Sequence, residues 1–134
     1  MKLKYICLVC SFFIGMSVFP AIDEMSITVL GSKDSFQKRK FTNGAVFFTN
    51  RTYVLENIPT AFDGFDFLAS GGKVMEDGVI IADNDGLIYI IAPSGGLSGW
   101  LTVEDSEFNY SDNNKTKLSI YQREVIANER IDIP

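Results

Sequence analysis

The stretch VIIADNDGLIYIIA, residues 79–92, decides the fold class of this chain. Two apolar runs rich in isoleucine flank the polar sequence DNDG at residues 83–86. β-Branched residues favour strands, whereas Asp, Asn and Gly favour tight turns. The stretch therefore predicts two strands that are joined by a hairpin turn.

The chain on both sides of this stretch repeats the same pattern, and it shows no sustained apolar period of about 3.6 residues after the N-terminus. Residues 32–40 are polar and basic, which predicts a solvated loop, and the glycine-containing loop at 93–98 is the longest candidate for mobility. About nine short strands without helices are typical of a β-sandwich or jelly roll, so we expect an all-β domain. The further strands are predicted at residues 25–30, 45–48, 51–55, 65–69, 100–103, 107–110, 116–125 and 131–133.

Residues 1–21 have the layout of an export signal. Lys2 and Lys4 precede an apolar run over residues 5–19, and the first acidic residue, Asp23, follows that run. A run of about 15 residues has the length of a signal h-region and is shorter than the ~20 residues of a membrane-spanning helix. An uncleaved anchor is the competing interpretation.

Cleavage of this signal is predicted after Ser17 or Ala21. Cleavage after Ala21 removes two of the 12 basic residues and none of the 17 acidic ones, so the formal charge falls from -5 to -7. We expect residues 22–134 to form one exported domain, in the periplasm, at the cell surface or outside the cell. The membrane is then a partner only through the export signal.

The composition excludes several kinds of chemistry. The chain has no histidine, and its two cysteines, Cys7 and Cys10, both lie in the predicted signal. A Ser-His-Asp triad, a Cys-His pair, a structural zinc site and a disulfide framework are therefore not expected. The acidic balance argues against nucleic acid as a partner. The sequence predicts no cofactor, no metal site and no catalytic residue, which favours binding over catalysis.

The segment 117–123 carries two of the four candidate ligand-binding residues. Strand alternation places Leu118 and Ile120 on one face and Tyr121 and Arg123 on the other, which is predicted to be the polar face. An exposed tyrosine beside an arginine suits a sugar ring, since the ring stacks on the tyrosine while the guanidinium bonds hydroxyls. The alternative is a half-buried tyrosine that packs under the arginine stem.

Trp100 and Asp112 are the other two candidates. Trp100 is the only tryptophan and predicts either a sugar platform or a plug in the sandwich core. Asp112 belongs to the sequence SDNN at 111–114, whose oxygens and amides suit sugar hydroxyls and also fit an ordinary turn. The sequence DNDG at 83–86 offers oxygen ligands of the kind that bind calcium, but the spacing of further ligands favours a turn.

Eight short motifs follow one another along the chain: FTNRTY (48–53), IP (58–59), FDGFDF (62–67), GLIYIIA (86–92), GW (99–100), YSD (110–112), TKLSIY (116–121) and ERI (129–131). The order of these motifs resembles that of a family of accessory β-sandwich modules. These modules are attached to secreted bacterial glycan-processing enzymes, including sialidase-like, sulfatase-like and glycosidase-like proteins. The resemblance covers residues 41–134 and implies a non-catalytic module. Members of that family continue with another strand after the segment that corresponds to RIDIP (130–134). We therefore expect that the domain over residues 22–134 lacks a final strand.

The expected function is therefore that of an exported, non-catalytic accessory domain associated with carbohydrate binding or processing. The expected partners are a glycan and a glycan-degrading enzyme. One alternative is a structural domain that packs on a partner hydrolase or envelope protein without binding sugar. A minimal carboxylate-dependent glycosidase is the least favoured alternative, because it would need a carboxyl group whose pKa is raised by burial.

Overall fold

A computed structural model describes residues 7–10, 27–30, 37–69 and 79–132, and the described residues form strands, turns and one short 3-10 helix. The all-β fold class is thereby confirmed. The strands are β1 (Cys7–Cys10), β2 (Ile27–Leu30), β3 (Gln37–Lys40), β4 (Leu55–Glu56), β5 (Asp66–Ala69), β6 (Val79–Ala82), β7 (Gly86–Pro93), β8 (Leu101–Thr102), β9 (Phe108–Tyr110), β10 (Lys117–Val125) and β11 (Arg130–Asp132), and the 3-10 helix is Thr60–Phe62.

The strands form two antiparallel sheets. The larger sheet has the order β3-β5-β1-β7-β10-β9-β4, with β8 also paired to β10, and the smaller sheet has the order β11-β6-β2. The two sheets pack on each other through a buried layer, which we call the inter-sheet core, and this arrangement is a sandwich. The buried members of the inter-sheet core are Ile80, Ala82, Ile88, Ile90, Ala92, Trp100, Tyr121, Val125 and Ile131.

The other face of the larger sheet is also covered. Because side chains alternate along a strand, Ile90 of β7 enters the inter-sheet core while its neighbour Ile91 enters a second cluster, which we call the aromatic core. Residues 41–62 supply much of this second cluster and lie over that face of the sheet. The buried members of the aromatic core are Phe41, Phe47, Phe48, Leu55, Ile58, Phe62, Phe67, Ala69, Ile91, Phe108, Tyr110, Leu118 and Ile120.

The stretch at residues 79–92 forms two strands, as predicted, but they do not form a hairpin. β6 pairs with β2 and β11 in the smaller sheet, whereas β7 pairs with β1 and β10 in the larger one. The DNDG turn is therefore a corner between two sheets. The Asp85 carboxylate accepts a hydrogen bond of 2.8 Å from the Ala127 amide, which ties this corner to the turn before β11.

Two further predictions about local structure are wrong. The basic segment that was expected to be a loop contains β3, an edge strand whose Lys38 and Lys40 lie 3.4 and 2.8 Å from the Asp66 carboxylate of β5. Charged side chains protect an edge strand from pairing with other chains, which explains why so polar a segment can be a strand. The two strands expected at 45–48 and 51–55 are reduced to one Val46–Val54 bridge before β4.

The larger sheet includes part of the predicted export signal. β1 lies between β5 and β7 and is antiparallel to both. The two predicted cleavage positions lie outside the described residues, so the signal stays a prediction. No helix among the described residues has the length and apolarity that a membrane span requires.

Candidate functional site

Tyr121 is not exposed, so the prediction of a polar outer face around it is wrong. Its ring is fully buried in the inter-sheet core. Its hydroxyl donates to the Pro93 carbonyl at 2.7 Å and accepts from the Gly96 amide at 3.1 Å. The Ser94 and Ser119 hydroxyls also meet at 2.8 Å. The loop after β7 is therefore fastened over this face by its own hydrogen bonds, and the side chains beneath it cannot stack on a ligand.

Trp100 and Arg123 do lie together, but the tryptophan is a core plug and not a platform. Trp100 is only 9% exposed, and the Arg123 guanidinium lies 5.9 Å from the centre of its ring. Arg123 also donates to the Glu129 carboxylate at 3.2 Å, and that carboxylate accepts from the Ile126 amide at 3.0 Å. This arrangement closes the outer end of the inter-sheet core.

Asp112 acts as a turn residue. Its carboxylate accepts hydrogen bonds from the Thr116 amide, at 2.7 Å, and from the Thr116 hydroxyl. Its carbonyl accepts from the Lys115 amide at 3.1 Å. These bonds close the connection between β9 and β10: the main-chain bond is that of a β-turn, and the carboxylate holds the residue that follows this turn.

The four predicted ligand-binding residues therefore do not form one site. Trp100 and Arg123 are adjacent. Tyr121 lies beneath the loop that follows β7. Asp112 lies in the turn before β10, at the opposite end of that strand from Arg123. None of the aromatic rings in the described part of the chain is exposed. A site for a hydroxylated ligand on these residues would have to rely on hydrogen bonds instead of ring stacking.

Such a set of hydrogen-bonding groups occurs where β4 pairs with β9. The register places Glu56 directly opposite Asn109. The Asn109 amide nitrogen donates to the Glu56 Oε1 atom at 2.8 Å, and the Lys115 ammonium donates to the same oxygen at 3.0 Å. The Asn57 amide nitrogen donates to the Asn109 Oδ1 atom at 3.0 Å. A carboxylate, two amides and an ammonium group therefore converge on one edge of the sandwich.

Glu56 and Asn57 of this set line an open groove of about 610 Å³, which we call the Glu56 groove. Asn57 holds a left-handed backbone conformation with φ of 58°, and the Asn43 Oδ1 atom accepts from the Ile58 amide at 3.0 Å. Ser111 fastens the groove to β9, because its hydroxyl accepts from the Val54 amide at 3.0 Å. The groove is lined by Asn43, Gly44, Val54, Leu55, Glu56 and Asn57.

The Lys115 ammonium lowers the pKa of Glu56 below its ordinary value, with the Asn109 amide as the second cause. A carboxyl group whose pKa is lower in the folded state stabilises the fold at neutral pH, and this contribution is lost as the pH falls through the lowered pKa. The Glu56 carboxylate is therefore held ionised by the groups around it.

Replacing Lys115 with methionine is expected to raise the pKa of Glu56 toward its ordinary value, because the first cause of the shift is removed. The measurement is an NMR titration of the side-chain carboxyl carbon. Lys117→Met is the matched control, since this exposed lysine pairs with Glu107 at 3.6 Å and not with Glu56. An unchanged Glu56 titration in the Lys115 variant would contradict the assignment.

Sequence reasoning missed Glu56, Asn57, Asn109 and Lys115. Glu56 and Lys115 are 59 positions apart, so only the pairing of β4 with β9 brings them together. The sequence contains one weak indication of this site. Glu56 and Asn57 follow an apolar run and directly precede Ile58-Pro59, where a strand must end, so two polar side chains are expected at the end of a strand.

A second surface lies across β7, β8 and β10. Leu101 is 69% exposed and Ile126 is 66% exposed. Leu87 lies between them, because it lines both a cavity of about 370 Å³ beside Leu101 and one of about 470 Å³ beside Ile126. Glu124 also lines both cavities. We call this the Leu87 surface, and it is apolar with a charged border.

No group of three or more His, Cys, Asp or Glu side chains within the described ranges is arranged to hold a metal ion. The comparisons with known proteins give no family. No protein-family model, no curated protein and no solved structure matches this chain.

Proposed function

We propose that this protein is an exported, non-catalytic accessory domain that binds a glycan at the Glu56 groove. The observation that carries the proposal is that Glu56 and Asn57 line an open groove and are hydrogen-bonded to Asn109, which shares Glu56 with Lys115. Export and the accessory role come from the sequence: the predicted signal over residues 1–21 and the resemblance to modules of glycan-processing enzymes.

The groups at the groove suit sugar hydroxyls, which both donate and accept hydrogen bonds. The Lys115 and Asn109 bonds both reach Glu56 Oε1, which leaves Oε2 as an acceptor within the described part of the chain. The carboxylate side chain is 34% exposed, so a ligand can reach it. Mutual hydrogen bonds among these side chains hold them in place before a ligand binds, which lowers the cost of ordering them.

The charge state of Glu56 does not suit the catalytic acid of a glycoside hydrolase. A catalytic acid in a glycosidase needs a raised pKa, so that it is protonated at neutral pH. Glu56 has a lowered pKa instead, because Lys115 and Asn109 stabilise its ionised form. An ionised carboxylate is a strong hydrogen-bond acceptor for hydroxyl groups.

The test is glycan-array screening of the full chain followed by calorimetry with the best glycan at millimolar concentration. Glu56→Gln and Asn109→Ala are each expected to weaken binding by about tenfold, the effect of losing one hydrogen bond that involves a charged or buried partner. Glu124→Gln is the matched control, because this exposed carboxylate lines the Leu87 surface. Its affinity should equal that of the unchanged protein.

Failure to bind any glycan, or equal binding by the Glu56 and Glu124 variants, would contradict the proposed site.

The Leu87 surface supports a second candidate function, a structural domain that packs on a partner hydrolase or envelope protein. Exposed apolar side chains such as Leu101 and Ile126 are typical of the centre of a protein interface. In that case the protein should bind no glycan, and Leu101→Asp should abolish its co-purification with the partner.

A further inference from the structure

The position of β1 is the feature of the fold that the proposed function leaves unexplained. β1 (Cys7–Cys10) belongs to the predicted signal, yet it is an interior strand of the larger sheet, between β5 and β7. In the register of the sheet, Leu8 is paired with Leu68 of β5 on one side and with Ile90 of β7 on the other. If the signal is cleaved as predicted, residues 22–134 carry an empty strand position. We call this position the β5–β7 gap.

Any strand in the β5–β7 gap is covered on both faces. Ile90 of β7 and Leu68 of β5 pack in the inter-sheet core, whereas Ile91 of β7 and Phe67 of β5 pack in the aromatic core. Because side chains alternate along a strand, successive residues of an occupant face these two cores in turn. A strand that is buried on both faces must be apolar throughout, unlike an ordinary amphipathic strand.

The gap cannot close by direct pairing of its two walls without extensive repacking. β5 and β7 are both antiparallel to β1, so they are parallel to each other. Strands in a sheet are about 4.8 Å apart, so the walls of the gap are separated by about twice that distance. One half of the sheet would have to move by a full strand spacing, and close-packed cores on both faces resist such a movement.

Residues 22–134 contain no spare segment that could fill the gap. The parts of this range that precede, separate or follow the described segments are 22–26, 31–36, 70–78 and 133–134, and none of them contains a run of four apolar residues. The apolar run at 45–48 is already in use, because Phe47 and Phe48 are buried in the aromatic core. The occupant must therefore come from outside this range.

We propose that, after the signal is removed, the β5–β7 gap binds an extended apolar strand of another polypeptide. The partner segment has at least four consecutive apolar residues, the length of β1, and runs antiparallel to both walls. Strand addition of this kind derives its affinity from main-chain hydrogen bonds on both sides and from the burial of alternate side chains in two cores. The proposal rests on the export that the proposed function assumes, but it does not involve the Glu56 groove.

The test starts from the full chain, so that it folds with β1 in place. A protease recognition sequence inserted within residues 11–26 then allows the connection between β1 and β2 to be cut under reducing conditions. A fluorescent peptide that carries residues 5–12 with lysines at both ends is added to cut and uncut protein, and its anisotropy is measured. The matched control peptide carries Val9→Pro, which removes a main-chain donor from the strand.

The peptide is expected to bind the cut protein at least about tenfold more tightly than the uncut protein, and the proline peptide is expected to bind neither. Release of the cut N-terminal fragment on addition of peptide, seen by mass spectrometry, supports the same conclusion. Equal binding to cut and uncut protein overturns the proposal, as does a cut protein that loses its fragment and takes up no peptide.

The exported protein itself gives a second, independent measurement. Mass spectrometry of the protein recovered from its producing cells is expected to show that residues 7–10 are absent. If they are retained, the gap is filled by the chain's own strand and a partner strand is excluded. Glycan binding at the Glu56 groove would be unaffected by that result, so the two proposals fail separately.

Discussion

Replacing Tyr121 with phenylalanine is expected to lower the free energy of unfolding by about 1–3 kcal/mol, although only one oxygen atom is removed. The hydroxyl donates to the Pro93 carbonyl and accepts from the Gly96 amide, so its loss leaves both loop groups without this partner. Replacing Tyr121 with alanine is expected to cost about 3–5 kcal/mol or more, since it also opens a cavity in the inter-sheet core. A loss of this size is a large part of the about 5–15 kcal/mol that is typical of a small domain.

The measurement is urea unfolding followed by the fluorescence of Trp100, which packs in the same core as Tyr121. Tyr53→Phe is the matched control. Tyr53 is half-buried and stacks on Tyr110 at 5.3 Å, and its hydroxyl has no hydrogen-bond partner among the described residues. The free energy of unfolding of the Tyr53→Phe protein should differ from that of the unchanged protein by less than about 0.5 kcal/mol. A Tyr121→Phe protein that is as stable as the unchanged protein but binds glycan more weakly would contradict this structural role and show that Tyr121 belongs to a ligand site.

The Tyr121 case shows which part of the fold could be predicted from the sequence. The alternation along β10 is as expected, because Leu118 and Ile120 enter one core while Tyr121 points to the other face. The sequence alone could not show that this second face is also covered. The serine, tyrosine and arginine on it suggested solvent, but the loop after β7 supplies hydrogen-bond partners for the serine and the tyrosine.

The partners of strands were harder to predict than the strands themselves. β6 and β7 were recognised from local composition, because isoleucine-rich runs favour strands. Their separation into different sheets depends on β10 and β11, which occur far later in the chain. The Glu56 groove could not be predicted for the same reason. The cross-strand pairing of Glu56 with Asn109 is a long-range contact that leaves no local pattern in the sequence.

Replacing Phe47 with alanine is expected to lower the free energy of unfolding by about 3–5 kcal/mol, because the ring is fully buried. The ring stacks on Tyr110 with centroids 5.4 Å apart and meets Phe48 edge-on at 4.6 Å. Phe47→Leu keeps most of the apolar volume and loses these aromatic contacts, so a smaller loss of about 1–2 kcal/mol is expected. Val46→Ala, at the exposed neighbouring position, is the matched control and should change stability by about 0.5 kcal/mol or less.

The Phe47 result also bears on the proposed site, because Phe47 belongs to the segment that pairs with Tyr53, Val54 and Leu55. Around the Val46–Val54 bridge, the Phe47 amide donates to the Tyr53 carbonyl at 2.9 Å, and Leu55 exchanges two main-chain bonds of 2.8 Å with Gly44 and Ala45. Packing of Phe47 supports this short pairing, and thereby Val54 and Leu55, which line the Glu56 groove. Phe47→Ala is expected to speed amide hydrogen exchange at Leu55 and to weaken glycan binding, whereas Val46→Ala changes neither. Unchanged exchange at Leu55 in the alanine variant would show that the groove is held by β9 alone.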